Sequence, residues 1–247
     1  MRYLVAAIQF LTIAPVPSSF TCGEKELKRS VLFFPVVGLM IGGLLALLDV
    51  GILRVFPPLL ASAIMIVLMM AVSGCFHMDG LADTADGFLS ARPKERILEI
   101  MKDSRIGAMG VVAVVSVIVL KIAALASIPG RRHWLIIFLM PFAGRCALVL
   151  GMATASYART QGGLVSAFGK PHWLVTALAL LSLAAISWGV MGILGLVAVG
   201  LAMISTVLLS FWCKRKIGGF TGDTLGAACE VAEMIPALIA ASWRWPQ

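Results

Sequence analysis

Apolar residues in this chain come in long runs separated by short polar clusters. Runs near 31–53, 57–76, 108–128, 134–152, 173–189 and 190–212 each match the roughly twenty residues that an α-helix needs to cross a bilayer. Six membrane spans follow. Gly38, Gly42 and Gly43 in the first run offer a close helix–helix contact. Residues 1–17 are apolar and end in Pro15-Val16-Pro17 without a small-x-small cleavage site, which favours an interfacial or re-entrant helix over a signal peptide. Residues 18–30 are polar. Pro93 opens an amphipathic stretch to about Lys102, with Ile97, Leu98 and Met101 on one side, a helix lying at the membrane interface. Thr221 to Ala241 forms a last helix, a weaker crossing candidate because it carries Glu230, Glu233 and Pro236. The expected fold is an all-α, polytopic integral membrane helical bundle of six to seven spans plus interfacial helices, forming one domain over residues 1–247.

Composition agrees with that pattern. The chain is 60% hydrophobic and 13% charged, with a mean hydropathy of +1.00, which excludes an ordinary soluble domain. A net charge of +8 points to a membrane surface or to anionic substrates. Nucleic acid is not indicated, because no basic cluster is interleaved with aromatics. Cys22, Cys75, Cys146, Cys213 and Cys229 are scattered without a Cys-x-x-Cys pair and read as small packing residues.

The cations are distributed unevenly. If the chain alternates sides across six spans, one side holds Arg2, Lys25, Lys28, Arg29, Arg92, Lys94, Arg96, Lys102, Arg105, Arg159, Lys170, Lys214, Arg215 and Lys216. The other side holds Arg54, Arg131, Arg132 and, if the last helix crosses, Arg244. This 14-to-4 imbalance makes the first side cytoplasmic. That side also carries Asp79, Asp83, Asp86, Asp103 and Asp223.

Three of the chain's 12 acidic residues fall within Phe76-His77-Met78-Asp79-Gly80-Leu81-Ala82-Asp83-Thr84-Ala85-Asp86-Gly87-Phe88. On a helix, Asp79, Asp83 and Asp86 stand at i, i+4 and i+7 and share one face. Their repulsion is relieved by a divalent cation, and hard oxygen donors suit Mg²⁺, Ca²⁺ or Mn²⁺. A solvated helix end is the blander reading, but the stretch has no Lys or Arg and continues from an apolar run.

Two further stretches carry chemistry. Lys102-Asp103-Ser104-Arg105-Ile106-Gly107 joins an acid, a hydroxyl and a guanidinium, suited to metal and phosphate, although Asp-Ser is also an ordinary helix cap. Lys214-Arg215-Lys216-Ile217-Gly218-Gly219-Phe220-Thr221-Gly222-Asp223 sets three cations before glycines, a hydroxyl and an acid. Its Lys-Arg-Lys is also a common topological anchor. Arg145 lies inside a span, where a substrate contact and a structural pair are equally open. Asp49 and Lys121 are expected to pair with each other. His77 is either a general base or a structural histidine. His133 and His172 are expected at the interface.

The stretch Phe76 to Gly87 resembles the signature of the adenosylcobinamide-GDP ribazoletransferase (cobalamin 5′-phosphate synthase) family. Phe10-Leu11-Thr12 before Pro15-Val16-Pro17, Phe34-Pro35-Val36-Val37-Gly38, Met101 to Gly107, Tyr157-Ala158-Arg159 and Gly219 to Ala227 also match, so the resemblance covers essentially the whole chain. Ile13 stands where the family has an arginine, and no role for that arginine carries over. The resemblance implies a Mg²⁺-dependent phosphotransferase of the bacterial cytoplasmic membrane, with its active site on the cytoplasmic face. The 3′-hydroxyl of α-ribazole, or of its 5′-phosphate, would attack the cobinamide-side phosphorus of adenosylcobinamide-GDP and release GMP. The residues for this work would be Asp79, Asp83, Asp86 and His77 in catalysis. Asp79, Asp83, Asp86, Asp103 and Asp223 would hold metal, and Ser104, Arg105, Arg145, Lys216 and Thr221 would bind substrate. A homo-oligomer is left open.

Two alternatives stand beside this reading. A CDP-alcohol phosphotransferase would carry an Asp-Gly-x-x-Ala-Arg element, but here Asp79-Gly80-Leu81-Ala82 is followed by Asp83, not arginine, and the second half of the signature is absent. A cation-coupled transporter would put its acids at mid-membrane depth in broken helices, whereas these acids cluster toward one interface.

Overall fold

The computed structural model describes residues 2–16, 23–159 and 164–243; Pro17, Cys22 and Arg244, named above, lie outside the described residues. The described chain is helical. α1 is Arg2–Leu11, α2 is Glu24–Ser30, and a 3₁₀ turn, Val31–Phe33, leads into α3, Phe34–Val55. Then come α4, Pro58–Val72, α5, Phe76–Phe88, α6, Lys94–Ile100, and α7, Ala108–Ala126. α8 is Gly130–Thr154; a second 3₁₀ turn, Leu164–Phe168, precedes α9, Trp173–Met191, α10, Ile193–Ile217, and α11, Gly222–Ser242. Among the described residues, six helices are long and apolar enough to cross a membrane, or seven if the bent α4–α5 pair is one span. This is the all-α polytopic membrane architecture that the hydrophobic runs predict.

α8 is the axis of the bundle, and nearly all of its residues from Ile136 to Met152 are buried. α3 lies closely against it. A Cβ at Gly38 would stand 2.9 Å from the Phe142 Cα, and one at Gly42 would collide with the Phe138 carbonyl. The expected glycine contact is therefore real for Gly38 and Gly42. Gly43 takes no part, since nothing stands within 4 Å of a Cβ there.

The run at 57–76 is not one continuous helix. α4 ends at Val72, and α5 sets off at 90° to it. The break has a local cause. Gly74 is left-handed at φ 61°, its N–H donates to Ala71 O at 2.9 Å, and the Cys75 N–H donates to Met70 O at 2.9 Å. That bond pair is the glycine-terminated helix end, which satisfies the last carbonyls and turns the chain away.

The buried charged residues inside the spans each have a partner, but not the one the sequence suggests. Asp49 does not meet Lys121. It receives the His133 ring at 2.9 Å, while the other ring nitrogen of His133 meets Ser62 Oγ at 2.9 Å. These three residues tie α3, α4 and α8 together, all of them buried. His133 is thus buried between helices in the first turn of α8, whereas His172 is exposed and caps α9. Lys121 from α7 donates to Glu230 at 2.5 Å and Glu233 at 2.9 Å on α11, and Arg145 from α8 also donates to Glu233. Two cations facing two carboxylates sum to zero charge. This is how α11 buries both acids as a 21-residue helix apolar enough to cross.

Candidate active site

α5 is wedged between the N-terminal parts of α7 and α11, and glycines make the wedge possible. A Cβ at Gly80 would lie 2.7 Å from the Asp223 carbonyl oxygen and 2.9 Å from its Cα. One turn along α11, a Cβ at Gly226 would lie 2.9 Å from the His77 carbonyl oxygen. The helix axes approach this closely only because neither position has a side chain. Met78, Leu81 and Ala82 are buried on the packed side, with Met78 and Leu81 meeting Val117 and Ala227. The polar face remains open: Asp79 is exposed, and Asp83 and Asp86 are half-buried.

The acids of α5 are in different situations. Asp86 accepts the Gly107 N–H at 2.7 Å and the Gly110 N–H at 2.8 Å. Gly107 is the N-cap of α7 and Gly110 lies in its first turn, so Asp86 caps a neighbouring helix and complements its dipole. Asp79 and Asp83 have no such engagement and face the start of α11.

Asp223 is held from several directions. Arg159 Nη2 donates to its carboxylate at 2.8 Å and Thr221 Oγ1 at 3.2 Å. Thr221 also accepts from the Thr224 N–H at 3.2 Å, while Thr224 Oγ1 accepts from the Thr221 N–H at 2.9 Å, a capping box at the α11 start. Arg159 is positioned by a short parallel bridge of Tyr157 with Phe220, in which the Phe220 N–H donates to Ser156 O at 2.9 Å and the Ala158 N–H to Phe220 O at 2.8 Å. Gly219 permits this crossing, since a Cβ there would collide with the Ser156 carbonyl. Three separated segments, around residues 79–86, 156–159 and 219–223, thus meet at one end of the bundle. The acids sit level with the ends of α7 and α11, so the broken helix does not bring a transporter's mid-depth site with it.

Other residues singled out from the sequence lie elsewhere. Asp103 pairs with Arg105, which donates Nε at 3.0 Å and Nη2 at 2.7 Å. These hydrogen bonds hold the Asp103 carboxyl down at about 2. Arg105 is exposed, as is Ser104, and Asp103 makes no contact with the α5 acids. Arg145 is fully buried and paired with Glu233, away from the open acidic face. His77 is buried against α11, with its Nε2 unpartnered, and does not reach the open face. Thr221 is also buried, its hydroxyl taken up by the cap. Lys216 is half-buried on the last turn of α10, beside exposed Lys214 and Arg215. Arg159 is the residue that sequence reasoning left out of the site, although Tyr157-Ala158-Arg159 was among the matched motifs.

The donor set bears on a metal. Among the described residues, no three of His, Cys, Asp and Glu converge closely enough to enclose an ion unaided. Mg²⁺ does not require that, because it commonly takes one or two carboxylates and completes its shell with water and substrate phosphate. Asp79 and Asp83 fit this pattern, opposite Asp223, whose Arg159 and Thr221 donors both fall on Oδ2. Asp86 and Asp103 fit it less well, since both oxygens of each accept hydrogen bonds.

A family model described as cobalamin-5-phosphate synthase matches residues 3–241. An adenosylcobinamide-GDP ribazoletransferase of Geotalea daltonii is 36% identical over 236 residues, covering 95% of each chain. One of a Roseiflexus species is 41% identical over 93% of this chain and 85% of its own. One of Acetivibrio thermocellus is 37% identical over 94% of this chain and 95% of its own. No solved structure matches. With the match running through every segment of the acidic end, this chain belongs to the cobalamin-5-phosphate synthase family.

Proposed function

We propose that this chain, acting as one transferase unit, is an adenosylcobinamide-GDP ribazoletransferase that joins adenosylcobinamide-GDP to α-ribazole or its 5′-phosphate. The bond formed runs from the ribose 3′-oxygen to the cobinamide-side phosphorus. The bond broken is that phosphorus to the oxygen of GMP, which leaves, and the hydroxyl proton passes to a carboxylate. The observation carrying the reading is the seating of α5 on α11 through Gly80 and Asp223, which puts the open carboxylates of two helices at one end of the bundle. The family relationship supplies the substrates.

Asp79 and Asp83, with Asp223, are the residues that would hold Mg²⁺. The ion's chemistry is neutralisation of the non-bridging oxygens and of charge developing on the leaving phosphate. Arg159 stands beside Asp223, where its planar guanidinium both orients that carboxylate and offers donors to a phosphate. In-line transfer needs little more of the protein than charge placement and alignment of the attacking oxygen. Asp83 and Asp223 are the carboxylates facing that point, and one of them takes the proton. The apolar bundle suits a bulky amphiphilic corrinoid held at the bilayer surface. The 14-to-4 cation imbalance supports a cytoplasmic-face site in a bacterial cytoplasmic membrane.

The test uses membranes holding the full chain, adenosylcobinamide-GDP, α-ribazole and Mg²⁺. GMP and the phosphodiester product should appear together and vanish with chelator. Product from a CDP-alcohol instead, or ion movement without product, overturns the assignment.

A further inference from the structure

Between the entries to α3 and α9, beside α1 and α2, lies a half-open pocket of about 680 Å³. That volume lies within the range of small-molecule sites. Its polar lining comes from Tyr3, Lys28, Arg29, Lys170 and His172. Lys28 is neutralised by Glu24 at 2.7 Å. Arg29 donates to the Tyr3 hydroxyl at 3.0 Å and lies 5.5 Å from the centre of that ring, contacts that orient it without cancelling its charge. Among the described residues no carboxylate pairs with Arg29 or Lys170, and no acid lines the pocket. His172 Nδ1 accepts the Leu174 N–H at 3.3 Å, so a neutral ring carries its hydrogen on Nε2 and can donate it. Uncompensated positive charge together with hydrogen-bond donors is the recognition chemistry of a phosphate.

The surroundings decide what carries that phosphate. Val165 and Phe168, buried in one 3₁₀ turn, close the pocket off from the start of α11, where Val165 stands 3.1 Å from a Cβ placed on Gly222. The ligand is therefore not a reactant of the acidic end. On the outer side the walls are apolar. Leu32 lines the pocket and is itself exposed, and exposed Val36 and Met40 continue its row along α3. On the other flank, exposed Leu174 and Leu178 run down α9. Both helices are long and apolar enough to cross a membrane, so these outward faces meet acyl chains. Trp173, exposed at the head of α9 beside His172, sets the depth, because indole rings concentrate at the level of the lipid headgroups. The cations thus lie at headgroup level, with apolar tracks leading away from them into the bilayer. A zwitterionic headgroup would bring its own ammonium against Arg29 and Lys170, whereas an anionic one would not. Basic pockets between membrane helices on the cation-rich side take anionic headgroups by the same logic.

We propose that this pocket binds an anionic glycerophospholipid, with the phosphate on Arg29 and Lys170 and the acyl chains along the outward faces of α3 and α9. The lipid bridges α1, α2 and the entry to α9, and so fastens the segments that precede the two spans. The site is independent of the transferase reading and stands or falls without it.

The experiment titrates the full chain in dodecyl maltoside with phosphatidylglycerol, phosphatidylcholine or glycerol phosphate. Native mass spectrometry reads the bound copies, and thermal melting reads the unfolding midpoint. The proteins compared are the native chain, Arg29→Gln, Lys170→Gln and, as a control for charge alone, Arg92→Gln, an exposed cation that lines no part of this pocket. Phosphatidylglycerol should bind the native chain about tenfold more tightly than phosphatidylcholine and raise its midpoint. Arg29→Gln and Lys170→Gln should each weaken phosphatidylglycerol about tenfold, the worth of one charge-assisted hydrogen bond, and Arg92→Gln should not. Lys170 is exposed and has no bonded partner among the described residues, so its variant separates lost binding from misfolding. Equal affinity for the two lipids, or a loss no greater for Lys170→Gln than for Arg92→Gln, overturns the proposal. So does tighter binding of glycerol phosphate than of phosphatidylglycerol, which would give the pocket to a water-soluble phosphate.

Discussion

Gly80→Ala is the sharpest perturbation of the site, because it adds one methyl where two helices touch. The new Cβ would sit 2.7 Å from the Asp223 carbonyl oxygen and 2.9 Å from its Cα, against an ordinary contact beginning at 3.4 Å. Both neighbours are backbone atoms of a helix fixed by a capping box, so no side chain can swing away. α5 and α11 must part by about 0.7 Å at this point to restore the contact. Overpacking of this kind costs about 1–3 kcal/mol of stability. Alanine's better helix propensity returns up to about 1 kcal/mol. The functional loss should be larger than the structural one, since misplacement by about 1 Å costs on the order of 100-fold in rate. The control is Gly43→Ala in α3, where the added methyl meets nothing within 4 Å. Unfolding in detergent should show Gly80→Ala mildly destabilised and Gly43→Ala unchanged or slightly stabilised. GMP release should fall roughly 10- to 100-fold in the first and stay level in the second. A Gly80→Ala enzyme with native kcat would refute the idea that this seating sets the distance between the carboxylates.

The other expectations are these. Asp83→Asn and Asp223→Asn should each weaken Mg²⁺-dependent GMP release, and the double variant should lose less than the two effects combined, because one site is broken once; strict additivity would reduce Asp223 to a helix cap. Glu233→Gln leaves Lys121 and Arg145 short of a carboxylate and should lower stability by about 3–5 kcal/mol, read as loss of folded protein in detergent; a native unfolding midpoint would show that the buried cluster is not structural. Asp86→Ala should cost about 1 kcal/mol as a lost cap on α7 while leaving the Mg²⁺ concentration for half-maximal activity unmoved; a shifted Mg²⁺ dependence would return Asp86 to the metal. Cysteines placed at 90 and 218 in a cysteine-light chain should react with reagents confined to the cytoplasmic face, and labelling only from the opposite face would reverse the orientation.

The spans were legible because a helix in lipid must be apolar over a fixed length, so hydropathy reports them directly. The end-to-end meeting of Asp79–Asp86 with Asp223 was legible for a different reason: glycines flank both motifs, and both fall on the cation-rich side. What the sequence withheld was pairing. Lys121 could have met any buried acid, and only the rotation of α7 against α11 selects Glu230 and Glu233 over Asp49. Asp86 looked like one of three equivalent ligands, because helical spacing does not reveal that the start of α7 will present two N–H donors to it. Asp103 and Arg105 looked like a metal and phosphate pair but satisfy each other two residues apart. The break at Gly74 was hidden inside an otherwise apolar run, since a single glycine is common in membrane helices and signals a stop only when the following bonds form.

The zero-charge cluster also constrains how the bundle is assembled. Lys121 and Arg145 lie on α7 and α8, which leave the ribosome well before Glu230 and Glu233 on α11. A charged side chain at mid-helix raises the free energy of insertion by about 2.5–3.5 kcal/mol. The two acids would thus burden α11 by about 5–7 kcal/mol if it entered lipid alone. Against helices already carrying two uncompensated cations, the same acids become the force that draws α11 in. The last helix is therefore a keystone. It enters when its berth is complete, and in docking it neutralises the earlier helices and delivers Asp223 to α5 in one movement.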